Sequence, residues 1–229
     1  KPGKPLRIVY LTNVGGSYNM LGETLRLTRE VLLEVSDFRR ENCPLSALTL
    51  GVKCGTSDAT SGIAGNPCVG AAFDQLIRAG GTAFFSETTE IIGAEDLVAK
   101  RAVNESVAKK ILSAARHWED KAKATGEDIR KINPIPANIA AGISSLEEKS
   151  LGAIAKSGTS PIQDVLKYAE MPKGSGLYFV DSWMSSLSLP LCLTACGATI
   201  MLYQMGGGKI AQHPMMPSIN PTVVSPFLY

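Results

Sequence analysis

The chain has 229 residues, with 23 Lys and Arg against 21 Asp and Glu, a formal net charge of +2 and a mean hydropathy of +0.08. An apolar fraction of 45% beside a charged fraction of 19% excludes a disordered chain, and the near-neutral balance argues against a nucleic-acid surface, which carries a concentrated basic patch. No apolar run reaches the roughly 18 residues of a membrane helix; the longest, Leu187 to Met205, is broken by Pro190 and Gly197.

The first residues, Lys1 to Pro5, carry neither a start methionine nor the apolar core of a signal peptide, so the chain reads as a fragment of something longer. Leu6–Leu11 is aliphatic and β-branched and predicts a strand. Leu21, Leu25, Thr28, Leu32 and Val35 recur at helical spacing and predict an amphipathic helix over 21–40. Leu48–Val52 predicts a second strand, followed by a loop of Gly, Ser and Thr from Cys54 to Asn66. Asn66-Pro67 opens a helix, with Asn as cap and Pro in the first turn, which runs to Arg78 and stops at Gly80-Gly81. Thr82–Phe85 is the third strand, and helices follow over 94–101 and 105–124. The stretch 133–141 holds two prolines and predicts a loop. Ser145 with Glu148 three residues on makes a capping box for a helix over 145–156, and Ser160-Pro161 opens a short helix to Tyr168. Gly176–Val180 is the fourth strand, 187–196 a helix, and Thr199–Tyr203 the fifth strand. Buried strands alternating with helices predict an α/β fold: a parallel sheet covered on both faces, with a helix-rich crossover between about 94 and 168.

In such sheets ligands bind beyond the carboxyl ends of the strands. The predicted strand ends gather Asn13, Ser17, Ser57, Asp58, Ser61, Glu87, Glu90, Asp181, Ser182 and Gln204. Ordinary loop composition accounts for Asn13, Ser17 and Ser182. It accounts less well for Glu87 and Glu90, because two acids flanking Thr88-Thr89 repel unless a cation or base separates them. A nicotinamide site is set aside: 15–22 does not read G-x-G-x-x-G, and the second strand ends in Lys53 rather than an acid. The two histidines, His117 and His213, support no nucleophile–base pair. Gly206-Gly207-Gly208 suits either an anion-holding nest or a tight turn. Oxygen-ligand metal chemistry remains, with Asp58, Glu87, Glu90, Glu95, Glu147 and Glu148 as hard donors. Lys53, Lys149 and Lys156 are the candidates to hold an anion or act as base, although Glu147-Glu148-Lys149 reads by default as a solvated helix face. Five cysteines without regular spacing do not read as a disulfide framework and suit a reduced, cytoplasmic setting; Cys192 and Cys196 read as core thiols.

Three segments resemble the altronate and galactarate dehydratases. Cys54–Pro67 (CGTSDATSGIAGNP) is similar to CGGSDxxSGxxANP, and Ser86–Glu95 (SETTEIIGAE) to SETPEIxGAE. Asn138–Gly142 followed by Leu146–Lys156 is similar to GNxAGGLTTIxEKSLGAxxKGG. The resemblance covers about 48–168. It implies one Rossmann-like domain over 1–229, part of a longer multidomain lyase. It further implies a divalent metal, ferrous iron, with Glu87 and Glu90 as candidate ligands and Cys54 either a soft ligand or an inert buried thiol. Asp58, Glu87, Glu90 and Lys149 are then the catalytic candidates, and Ser57, Ser61, Asn66 and Asn138 the substrate-binding ones. Thr56, the Ala137–Gly142 stretch and Asp181–Ser186 depart from the dehydratase pattern, and Thr56, the Glu87–Glu90 stretch and the Asp181-Ser182 segment look closer to the large subunit of sulfolactate sulfo-lyase.

The expectation is a cytoplasmic hydro-lyase that removes water from a sugar acid such as altronate or galactarate by metal-assisted abstraction of the α-proton. The alternatives are a sulfolactate sulfo-lyase, and a non-catalytic dimerising or regulatory domain of the same fold. The expected partners are a small carboxylate substrate, a further N-terminal domain or partner subunit, and a second copy in a homodimer. Neither nucleic acid nor membrane is expected.

Overall fold

The computed structural model describes residues 4–206 and 213–221, and its contacts divide the chain into two compact units, 1–43 and 44–229. In the first unit α1 (Leu11–Val14) and α2 (Ser17–Ser36) are joined at Gly15, whose φ of 78° suits a residue without Cβ. The expected helix therefore forms, and Leu21, Leu25, Leu32 and Val35 on its apolar face are all exposed. The strand expected over Leu6–Leu11 does not form. The run is irregular up to Tyr10 and Leu11 begins α1, so β-branched composition without a neighbouring strand does not suffice.

The second unit is built on a six-stranded parallel sheet in the order β3-β4-β2-β1-β5-β6. The strands are β1 (Thr49–Cys54), β2 (Thr82–Phe85), β3 (Ile162–Leu166), β4 (Gly176–Val180), β5 (Ile200–Gln204) and β6 (Ser218–Ile219). Alternation along the central strands sends side chains to two separate cores. Val52, Phe85, Phe179 and Leu202 pack with Phe73 of α3 (Asn66–Arg78) and Ile111 of α6 (Glu105–Lys123). Phe84, Tyr178, Met201 and Tyr203 pack on the other face with Leu189, Cys192, Leu193 and Cys196, which α10 (Ser188–Ala195) and its C-cap supply. Helices thus cover both faces, as in an α/β Rossmann-like fold.

Between β2 and β3 lie α4 (Thr88–Ile91), α5 (Glu95–Ala99), α6, α7 (Ile129–Ile132), α8 (Pro136–Ala140) and α9 (Leu146–Ile154). The helix-rich crossover is real, but its last stretch is strand: 162–166 forms β3 where Ser160-Pro161 suggested a helix. β3 is an edge strand whose ladder is with β4, its outer side met among the described residues only by an isolated bridge between Ile162 and Ala102, and its irregular register between Ile162 and Asp164 leaves Gln163 and Asp164 partly exposed, which masks the apolar pattern. Likewise the loop 133–141 contains α8, with Pro136 in its first turn.

β1 is central. From it the chain moves out to β2, then through β3 and β4, before crossing to β5 on the other side of β1. Loops leaving β1 and β5 therefore diverge, and this reversal of strand order is where open α/β sheets present a crevice.

Candidate active site

The motif after β1 begins with a short π-helical turn, Ser61–Gly65, that runs into α3. Asp58 anchors it: Oδ1 accepts from the Ser61 amide at 3.0 Å, from Ser61 Oγ at 3.2 Å and from Thr60 Oγ1 at 2.7 Å. Gly62 and Gly152 of α9 meet almost backbone to backbone; a Cβ on either would lie 3.3 or 3.1 Å from the other's Cα. That contact draws the first and third motifs together. Ser57, Asp58, Ser61, Asn66, Glu148 and Lys149 then line a small cavity of about 30 Å³. It has room for about two water molecules or one small polar group. The Lys149 ammonium donates to Asn133 Oδ1 at 2.6 Å and Asn138 Oδ1 at 2.9 Å, and Asn138 Nδ2 donates to the Ser57 carbonyl at 3.2 Å. Asp58, Lys149, Ser57, Ser61, Asn66 and Asn138, all singled out in the sequence, are in one place.

Glu87, Glu90 and Cys54 form a second, deeper cluster with two lysines. The Lys156 ammonium donates to Glu87 Oε2 at 2.9 Å and also to Glu90 Oε2. Lys53 donates to Glu87 Oε1 at 3.1 Å and lies 5.1 Å from the centre of the Tyr203 ring. The Cys54 amide donates to Glu87 Oε2 at 2.8 Å. Lys53, Glu87, Glu90 and Lys156 are each at most 4% exposed, so two ammonium groups and two carboxylates are buried as a neutral set. A cation does separate the two acids, and it is Lys156. Glu87 holds φ at 69°, a left-handed conformation that costs a residue with Cβ about 1 kcal/mol or more.

Burial pushes the Glu87 carboxyl upward, but Lys156, Lys53 and the Cys54 amide outweigh it and hold it below the usual carboxylate range. Burial pulls the Lys156 ammonium down, and Glu87 and Glu90 outweigh that too, raising it well above an ordinary lysine. The Cys54 thiol is pushed up to about 12, by burial first and then by the Glu90 carboxylate. Cys54 Sγ lies 3.0 Å from Ser57 Oγ and so links the deep cluster to the cavity.

The expected metal ligands meet, but not as a ligand shell. Both carboxylates are taken up by ammonium groups, and the thiol is held protonated. Among the described residues no group of three or more His, Cys, Asp or Glu is arranged to hold an ion. The donor set at Glu87, Glu90 and Cys54 does not fit iron in this arrangement. Glu95 pairs with Arg130, Glu147 is exposed, and Glu148 turns back to the Ser144 amide at 2.7 Å. Gly207 and Gly208 lie outside the described residues.

Sequence reasoning missed the contacts that tie β2 to β4. Thr88 Oγ1 and Trp118 Nε1 both donate to Asp181 Oδ1, at 2.7 and 2.8 Å, and the Thr88 amide donates to the Ser182 carbonyl at 2.8 Å. Asp181 follows a strand directly, which was the available signal. A wider groove of about 1170 Å³ runs between α6 and β3 and reaches these residues only through Asp181. Its lining lysines are balanced by acids, and none of the three motifs lies in it.

Buried polar atoms without a partner concentrate at the strand ends: Asn66 Oδ1, Ser86 Oγ, Ser182 Oγ and both amide atoms of Gln204. Such atoms cost free energy in a closed interior and mark where a ligand or water belongs. The family described as D-galactarate/Altronate dehydratase, C-terminal, matches residues 45–225. The chain belongs to this family. The galactarate dehydratase (L-threo-forming) of Escherichia coli K12 is 38% identical over 193 residues, 84% of this chain and 37% of that protein. An altronate dehydratase of Bacillus subtilis 168 is 40% identical over 182 residues, 80% of this chain and 36% of that protein. The (2R)-sulfolactate sulfo-lyase subunit beta of Chromohalobacter salexigens is 35% identical over 222 residues, 95% of this chain and 56% of that protein. The chain thus spans little more than a third of the length of the two dehydratases and just over half of the sulfo-lyase subunit.

Proposed function

We propose that this chain carries the site of a lyase that removes water from a polyhydroxy acid of the galactarate or altronate kind. The observation that supports it is the cavity at the strand ends, where a carboxylate, Asp58, and an ammonium, Lys149, face one small space. The substrate carboxylate would sit against Lys149, which Asn133 and Asn138 hold in place. Asp58 would take the proton beside that carboxylate. Negative charge then spreads onto the substrate's carboxylate oxygens, where Lys149 offsets it. The hydroxyl on the next carbon leaves with the proton that Asp58 took, as water, and the enol left behind becomes a 2-oxo acid. In this reading Glu87, Glu90, Lys53 and Lys156 hold the framework beneath, and no step passes through a metal.

The test is turnover by the intact protein of galactarate, altronate and sulfolactate, following the 2-oxo acid or sulfite. Asp58→Asn is expected to lower kcat by about 10²–10⁴-fold while KM changes little, because it removes a proton acceptor and not a binding charge. Full activity in that variant would sink the assignment. The sulfo-lyase reading is the second. The match to that relative extends over 95% of this chain, through most of the first unit, against 84% and 80% for the two dehydratases. Release of sulfite without turnover of either sugar acid would decide for it.

A further inference from the structure

Gln204 ends β5 beside Cys54 of β1, at the point where the strand order reverses. Its side chain is fully buried, and among the described residues neither Oε1 nor Nε2 has a partner. It lies against Gly65, where a Cβ would come within 2.1 Å of Nε2. The next residue, Asn66, is also buried and lines the cavity. Asn66 Nδ2 donates to the Gly152 carbonyl at 2.8 Å, which fixes the amide so that Oδ1 is the acceptor left over, and Oδ1 is unpartnered. One amide nitrogen with two N–H donors and two acceptor oxygens therefore stand unpaired among the described residues at this corner of the site. A carboxylate only accepts, and would leave both acceptors without a donor. A hydroxyl donates one proton and accepts, so two neighbouring hydroxyls satisfy such a set, one donating to each acceptor and either accepting from Nε2.

We infer that Gln204, with Asn66, reads a hydroxyl of the bound acid and is a specificity-determining residue. The inference rests on the proposed reaction and deepens it: the favoured ligands are acids with a hydroxyl beyond the one next to the carboxylate. Sites built to bond a hydroxyl discriminate strongly against analogues that lack it, because their own buried groups are then left unpaired.

The experiment uses the intact protein and measures both thermal midpoint and affinity. Gln204→Leu removes two unpaired buried atoms from the free protein, so its ligand-free Tm is expected to rise by about 2–4 °C. Its Kd for galactarate is expected to weaken by at least about 10-fold, and its Kd for the matching deoxy acid to stay within about twofold. Gly65→Ala displaces the carboxamide without removing it and is expected to weaken galactarate binding in the same way. A lower Tm with unchanged Kd in Gln204→Leu would assign the amide to a structural water and overturn the inference alone. Failure of the wild-type protein to bind any of the acids would overturn the proposed function, and this inference with it.

Discussion

Lys156 is the residue on which the buried cluster turns, since among the described residues it alone pairs with both Glu87 and Glu90. Lys156→Met leaves an uncompensated carboxylate in the interior and is expected to cost about 3–5 kcal/mol in urea unfolding. Adding Glu90→Gln restores neutrality, so the double variant is expected to recover a large part of that loss; if it recovers none, the loss reflects packing rather than charge. The pH dependence follows from the two directions. Glu87 is held below its ordinary value of 4.5, so its contribution is present above that pH and is lost as pH falls through the lower folded value. Lys156 is raised above 10.5, so its contribution is present below that pH and is lost as pH rises through the folded value. Between those limits Glu87 and Lys156 leave stability flat, while the Cys54 thiol, raised from 9.0 to about 12, makes it fall from about pH 9 upward, and a denaturation series across pH checks it. Thiol chemistry separates the cysteines in the same way. Cys43 and Cys68 are exposed, whereas Cys54, Cys192 and Cys196 are buried. Iodoacetamide at pH 8 is expected to label the first two and spare the rest in the folded protein, with mass spectrometry as the readout. Rapid labelling of Cys54 would contradict its raised thiol pKa.

At the scale of elements, the expected cap at α9 is present in altered form. Ser145 Oγ accepts from the Glu148 amide at 3.1 Å, but the Glu148 carboxylate returns to Ser144 rather than to Ser145. α3 spans Asn66–Arg78 as the spacing predicts, with Pro67 in its first turn, but Asn66 is not its cap: the helix continues from the helical Gly65 with no side-chain cap, and the Asn66 carboxamide turns to the Gly152 carbonyl instead. The turn between α9 and β3 is held from a distance. Asp74 of α3 accepts from the amides and hydroxyls of Thr159 and Ser160 at 2.6–3.0 Å. That turn follows Lys156 by three residues. Asp74→Ala is therefore expected to cost about 2 kcal/mol and to loosen Lys156, seen as faster amide exchange over 156–160. Unchanged exchange there would refute the coupling. None of this was visible in the sequence, since Asp74 looks like any polar residue on an amphipathic helix and its partners are 85 residues away.

At the scale of the whole molecule, the strand order makes the site. β1, β2, β4 and β5 present their carboxyl ends together, so motifs separated by up to about a hundred residues converge on Cys54, Glu87 and Lys156. The sequence by itself determined the strands β1, β2, β4 and β5, the helices α3, α6 and α9, the family, and the residue types at the strand ends. Those depend on local periodicity, capping and unbroken motifs. It did not reveal β3, whose polar exposed edge hides its period, nor did it disclose that Leu6–Leu11 has no strand to pair with. Only the tertiary structure decided the partners of the charged groups. Whether Glu87 meets a metal, a substrate or a lysine depends on which side chains the fold brings within 3 Å, and a buried charge takes the nearest opposite charge because desolvation makes solitude costly. The same physics left Gln204 without a partner, a property that no residue carries in its sequence and that arises from enclosure.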